Sequence, residues 1–289
     1  MSAVNHALLP DRGLVSVSGE DAAKLLSGLI TSDIDRLAGE PAIFAGLLSP
    51  QGKILFDFLV ARADGGFLLD VARDKAADLV KRLTMYRLRA KVELKDVSET
   101  HAVAVSWGSD PASGRGVAFA DPRHPSLGQR TILTAAGAPI EATDAPAYHA
   151  HRIALGVPEG GKDYDFGDAF PHEANFDLLH GVAFDKGCYV GQEIVARMEH
   201  RGTVRKRIAR VTGASDLPVS RPDVMMGDVV IGKLGSVAGR EGLAMIRLDR
   251  AIEAIDKGAP IAAGGIGLAI DAGMIARQRK LMAEKAAPP

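Results

Sequence analysis

Cysteine is almost missing from this chain: its 289 residues include one, Cys188. A single thiol excludes an internal disulfide. With no Cys-x-x-Cys pair, the chain alone can hold neither a cysteine zinc site nor an iron–sulfur cluster. An excess charge of either sign is missing too. Lys and Arg number 35 against 36 Asp and Glu, a net charge of −1, whereas chains that live on nucleic acid or acidic membranes carry a basic excess. No stretch approaches the ~18 uninterrupted apolar residues of a membrane helix. Met1–Gly13, with Pro10, Asp11 and Arg12, has no signal-peptide core. These absences point to a reducing, soluble compartment, read as cytoplasmic, with no membrane and no direct nucleic-acid partner. What remains is ordinary for a globular protein, 47% hydrophobic and 25% charged, and long enough for roughly two domains at ~150 residues each.

Along the chain, Ser18 with Asp21 reads as a capping box before the apolar stripe Ala22, Ala23, Leu25, Leu26, Leu29 and Ile30. Ala42–Leu48 reads as a strand, Ser49-Pro-Gln-Gly52 as a hairpin turn and Ile54–Ala61 as the return strand. Phe67–Val71 follows as a strand, then a helix capped by Asp74 and striped with Ala76, Leu79, Val80 and Leu83. Val92–Val97, Ala102–Trp107, Gly116–Ala120 and Arg130–Thr134 add further strands. Strands mixed with segregated helices give an α+β class. Pro158–Asp177 loses all periodicity and reads as a long, acidic, turn-rich connection of the kind that carries function. Beyond Gly202, short strands at Ile208–Val211, Val229–Ile231, Leu243–Arg247 and Ile266–Ile270 read as a small all-β module.

The densest chemistry is in Phe184–Arg197. Gly187 and Gly191 allow tight turns on either side of Cys188, and Gln192–Met198 reads as a short helix. The helix dipole and Lys186 would both favour a thiolate at its start. The bland alternative is a buried cysteine acting as a small hydrophobe.

Lys186-Gly-Cys-Tyr-Val-Gly-Gln-Glu193 resembles the K-G-C-[YF]-x-G-Q-E signature of the YgfZ-type folate-binding proteins. These are bacterial relatives of the mitochondrial iron–sulfur assembly factors and of the glycine-cleavage aminomethyltransferase, the T-protein. Gly28-Leu-Ile-Thr-Ser-Asp33, Ser49-Pro-Gln-Gly-Lys-Ile-Leu-Phe-Asp57, Tyr86-Arg-Leu-Arg-Ala-Lys-Val92 and Phe170-Pro-His-Glu-Ala-Asn-Phe-Asp177 fit the same family. The resemblance implies an aminomethyltransferase-like folate-binding region over 1–202, made of two α/β halves with the inner one at roughly 50–140, and a C-terminal β-barrel over 203–289. It implies tetrahydrofolate or a one-carbon derivative as ligand, with Asp57, Arg152 and Lys186 as candidate contacts and Cys188 as the reactive thiol. The motif residues are Lys186, Gly187, Cys188, Tyr189, Gly191, Gln192 and Glu193.

One departure stands out. Where the transferases show R-x-E-A-G, this chain reads Arg152-Ile-Ala-Leu-Gly156, so the carboxylate that would grip a pterin edge is Ala154. Arg152 reads either as a cavity-wall residue holding a folate tail or as a solvated charge. Gln192 and Glu193 read as helix caps or cavity residues. The basic run of Arg197, Arg201, Arg205, Lys206, Arg207 and Arg210 invites an RNA reading, but it lacks aromatics for base stacking. His149 and His151 would share one face of a strand. No HExxH, P-loop or dinucleotide fingerprint is present, and no metal site is assigned. His172, His180 and His200 are partners for a cysteine hydrolase only through their closeness to Cys188 in the sequence.

The resemblance thus implies a folate-binding accessory factor, rather than an enzyme, for the assembly, repair or maintenance of iron–sulfur proteins. Its partners would be client or cluster-assembly proteins, and its effect on tRNA modification would be indirect. The alternatives are a folate-dependent aminomethyl transferase or demethylase and an RNA-binding module.

Overall fold

The computed structural model describes residues 5–108, 116–134, 145–202 and 204–286. The chain forms two compact units, one of residues 1–148 with 176–192, the other of 149–175 with 193–289.

The first unit is built on two antiparallel sheets. Strands β1 (Asn5–Leu8) and β2 (Arg12–Ser18) open the chain, followed by helix α1 (Ala22–Ser27) and a 3-10 turn at Ile34–Ala38. Then come β3 (Ala42–Leu48), β4 (Ile54–Ala63), β5 (Gly66–Ala72), helix α2 (Ala76–Arg87) and β6 (Glu93–Asp96). Strands β7 (His101–Trp107), β8 (Val117–Ala120) and β9 (Gln129–Thr134) complete it. One sheet runs β3-β4-β5-β2-β6 and the other β1-β7-β9-β8. The strands read from the sequence between Ala42 and Thr134 all form. The capping box does not: Asp21 caps α1 with its backbone alone, and its carboxylate accepts the Lys91 N–H at 2.8 Å.

Strand β3 is buried along its whole length, so both faces of the larger sheet are covered. Ala45, Leu47, Phe56, Phe58 and Val60 join Leu26, Ile30, Leu79 and Leu83 of the helical side in one core. Alternation sends Phe44, Gly46, Asp57 and Asp70 to the opposite face. That face carries buried charge. Asp70 accepts from Arg12 Nε at 2.6 Å and from Arg130 Nη1 at 2.5 Å. Arg130 Nε reaches Asp121 at 2.8 Å, and Asp121 also takes a bidentate pair from Arg123. The Tyr148 hydroxyl accepts from Arg130 Nη2 at 2.9 Å. Burial by itself would push the Asp121 carboxyl up, but Arg123 and Arg130 together hold it well below the usual carboxylate range.

The second unit holds the last six residues of helix α3 (Ala145–Ala154), those beyond Tyr148, most of helix α4 (Gln192–Arg201), and a closed barrel. The barrel strands are β10 (Lys206–Gly213), β11 (Asp223–Met226), β12 (Val229–Ala238), β13 (Glu241–Arg247), β14 (Ile261–Ala263) and β15 (Ile266–Ile270). Their order is β10-β13-β12-β11-β14-β15, and β15 pairs back with β10. The module is not all-β. Helix α5 (Leu248–Lys257) buries Leu248, Ala251, Ile252 and Ala254 and ends on Gly258 at φ 65°, and helix α6 (Ala272–Ala286) adds Ile275 to the same core. His149 and His151 lie on α3, not on a strand, so two residues apart they point to different sides. No helix or strand forms between α3 and α4.

Candidate functional site

Cys188 is exposed on the loop that precedes α4, so the reading of it as a buried hydrophobe is ruled out. The approach to that loop is fixed residue by residue. The Phe176 ring packs on Phe44 with centroids 4.6 Å apart and planes tilted by 51°, and a β-carbon on Gly46 would come within 2.8 Å of Phe176 Cε2. Only a residue without a side chain lets Phe176 lie against the sheet here. Gly181 is needed for the same reason, since a β-carbon there would meet Phe44 at 2.7 Å. Thr31 then stitches the segment down. Its hydroxyl donates to the Gly181 carbonyl at 2.5 Å and accepts the Gly46 N–H at 2.8 Å, and its carbonyl accepts the Ala183 N–H at 2.9 Å.

Two anchors bracket the thiol. Before it, Lys186 Nζ donates to the carbonyls of Ser27, Ile30 and Ser32 at 2.9, 2.8 and 2.8 Å. An ammonium has three protons, and all three are used on the end of α1 and the turn after it. Lys186 therefore anchors the loop; it has no proton left to donate to a Cys188 thiolate or to a folate. Burial pushes its pKa down to about 8, against the opposing pull of Asp33 and Asp35. It also lies 5.1 Å from the centre of the Tyr189 ring, and burial pushes the Tyr189 hydroxyl up to about 12. After the thiol, Gly191 at φ 84° rests on the β3–β4 hairpin, where a β-carbon would meet the Ser49 carbonyl at 2.7 Å. Gly187 has open space and an ordinary φ, so the geometry does not require glycine there.

Gln192 starts α4, and its side chain accepts the Tyr189 N–H at 3.3 Å, closing the turn that leads into the helix. Glu193 is exposed and pairs with Arg197 one turn on. Two family segments that lie far apart in sequence therefore converge on the motif, Gly28–Asp33 through Lys186 and the hairpin through Gly191, while a third, through Phe176, packs on Phe44 and Gly46 ahead of it.

The other candidates lie elsewhere in the structure. Asp57 is 5% exposed on β4, opposite Gly46 in register, on the face that Phe176 covers. Arg152, in the second unit, is neither solvated nor available to a ligand. It is 1% exposed and donates to Asp163 at 2.8 Å, to the Val157 carbonyl at 3.1 Å, to Ser236 at 2.7 Å and to His149 Nδ1 at 3.1 Å. It holds the acidic connection against α3 and β12. Of the three residues expected to contact folate, Lys186 and Arg152 thus spend their donors within the chain. The basic run forms no single open face either: Arg207 is buried on the His172 carbonyl and Asn175, and Arg210 is held by the Ala154 carbonyl and Asp271. The side chain of Arg201 lies outside the described residues. His172 is bonded to Glu199 at 2.9 Å.

The roles of Thr31 and of the three carbonyls under Lys186 are invisible in the sequence, because backbone acceptors leave no residue signature. No helix among the described residues is long and apolar enough to cross a membrane.

Residues 205–272 match the family model described as the C-terminal β-barrel domain of CAF17. The chain is 40% identical over 223 residues to the mitochondrial iron–sulfur cluster assembly factor IBA57 homolog of Mycosarcoma maydis, covering 70% of this chain and 55% of that one. It is 34% identical over 272 residues to the human mitochondrial iron–sulfur cluster assembly factor IBA57, covering 82% of this chain and 76% of the human one. It spans little more than half the length of the relatives from Mycosarcoma maydis and Neurospora crassa, 55% and 52%. The fold matches the crystal structure of glycine cleavage system aminomethyltransferase T from Bartonella henselae. The TM-score is 0.71 at 15% identity, over 93% of this chain and 85% of that one.

Proposed function

The chain belongs to the IBA57 family of iron–sulfur cluster assembly factors, and on that premise we propose that it serves the assembly, repair or maintenance of iron–sulfur proteins without turnover chemistry of its own. The YgfZ-type proteins it resembles in sequence are a related family, not its own. The observation that carries the proposal is the presentation of Cys188: an exposed thiol on a loop pinned on one side by Lys186 and on the other by Gly191. One thiolate can take a single ligand position on a cluster or meet a partner thiol, and it needs donors from elsewhere to complete either. The partners are accordingly cluster-assembly or client proteins, and any effect on tRNA modification is indirect, through cluster-containing enzymes. The lone cysteine suits a compartment that keeps thiols reduced.

Tetrahydrofolate remains part of the proposal as a ligand, supported by the aminomethyltransferase-like fold and by Asp57. Ala154 supplies a methyl group where the transferases carry their pterin carboxylate, so aminomethyl transfer has no acid or base at that position. The deciding experiment is rescue of a bacterial strain lacking its own such factor, scored by a four-iron-cluster enzyme, with wild type and Cys188→Ala at matched expression. Wild type restores activity and the variant does not. Equal rescue by both would remove the thiol from the function. Titration of tetrahydrofolate into the purified chain tests the ligand: binding weakens with Asp57→Ala and is unchanged in Cys188→Ala.

A further inference from the structure

Tyr86–Val92 is the one family segment that plays no part in holding the thiol loop. Its centre is Leu88, just past α2, at φ 46° and ψ −109°. The Ala90 N–H closes back on the Arg87 carbonyl at 2.8 Å, so Arg87–Ala90 is a type II′ turn with Leu88 at its first central position. That position belongs to glycine, because a β-carbon there is strained, and more so in a bulky residue. Leucines elsewhere accept such strain in exchange for burial. Leu88 gets none: it is 87% exposed. Met85, one turn back on α2, is 64% exposed beside it. No contact among the described residues offsets the strain, which leaves the side chain free to serve a partner.

The surroundings indicate what that is. Lys81, Arg82 and Arg89 have no ion-pair partner among the described residues, whereas Lys91 is paired with Glu20 and Arg87 reaches the Val92 carbonyl. Positions 81 and 85 share a face of α2, 82 lies beside 81, and Leu88 and Arg89 are the two central residues of the turn that ends the helix. Two exposed aliphatic side chains and three cations with no ion-pair partner among the described residues thus lie along the end of α2 and the turn after it. Aliphatic groups offer no platform for stacked bases, and Tyr86, the aromatic residue of this segment, packs on the core. We propose that this tip docks an acidic protein surface, with Leu88 and Met85 entering an apolar notch and Lys81, Arg82 and Arg89 facing carboxylates on its rim. The proposal does not depend on the role of Cys188 or on folate.

Two measurements on the full chain test it. Leu88→Gly relieves the turn, and its thermal midpoint rises by about 2 °C or more; a fall would mean that Leu88 is a packing residue, and the inference would fail. A photo-crosslinking benzoylphenylalanine at position 85, activated in cells, yields a protein adduct whose crosslinked peptide is acidic. Arg82→Glu combined with Arg89→Glu lowers that adduct at least fivefold with the midpoint unchanged. An RNA adduct, no adduct, or an adduct indifferent to the charge reversal each overturns the proposal.

Discussion

Gly191 lies so close to Ser49 that a β-carbon on it would stand 2.7 Å from the Ser49 carbonyl oxygen, with its own backbone at φ 84°. The contact sets the hairpin as the far wall of the Cys188 loop. Gly191→Ala meets both penalties together, a backbone clash and a left-handed φ, and costs on the order of 2 kcal/mol or more. Urea unfolding measures it, and a faster reaction of Cys188 with a bulky maleimide reports the loosened loop.

Cys188 itself contributes little to the fold. The thiol is exposed, so Cys188→Ser shifts unfolding by no more than about 0.5 kcal/mol while rescue is lost. A large destabilisation would show that the failed rescue came from misfolding and not from loss of the thiol.

Lys186→Met leaves the carbonyls of Ser27, Ile30 and Ser32 without their shared donor. Hydrogen exchange at residues 27–32 and 183–190 accelerates, and maleimide labelling of Cys188 speeds up several-fold. Lys186→Arg does not restore the wild-type rates, because a planar fork cannot aim at three converging carbonyls.

Arg152 separates a structural from a ligand-binding role. Arg152→Met leaves the Asp163 carboxylate buried without its cation, a loss of about 3–5 kcal/mol. Folate affinity, measured where the variant is still folded, is unchanged. A stable Arg152→Met with weakened folate binding would reverse that assignment.

Asp121 gives the pH dependence a definite sign. Its carboxyl is held well below the ordinary value of 3.8 when folded, burial opposing and Arg123 and Arg130 prevailing. The stability it contributes is therefore complete above about pH 5 and drains away as the pH falls below the unfolded value. Urea midpoints fall from pH 5 to pH 3 more steeply in wild type than in Asp121→Asn, which lacks the titrating group.

Strands with local signals were legible in the sequence. Ala42–Leu48 and Ile266–Ile270 read at the ends they have in the structure, because apolar runs bounded by turn residues need no tertiary context. Helix α5 carried a readable stripe, Leu248, Ala251, Ile252 and Ile255, stopped by Gly258, but the run of short strands around it invited an all-β reading. His149 and His151 suggested a strand by alternation; Pro146 in the first turn of α3 was the contrary sign. The motif was legible as a motif, with its glycine at 191 and its thiol. The purpose of Lys186 was not, since its partners are carbonyl oxygens some 150 residues upstream. Arg152 was misread because its charge is matched by Asp163, in a connection with no periodicity to place it.

Those same separations set a timetable for the nascent chain. Ser27, Ile30 and Ser32 leave the ribosome 159, 156 and 154 residues ahead of the lysine that binds them. Domains fold as units, N-terminal parts first, during synthesis. The strip of sheet at Gly46 must wait for Phe176 to cover it, and the Thr31 hydroxyl must wait for Gly181. The thiol segment is thus the last piece of its unit to be tied down, and a chain released before Lys186 would carry a finished sheet with an open seam and no cysteine at all. Completion of the unit and arrival of its one thiol are the same event.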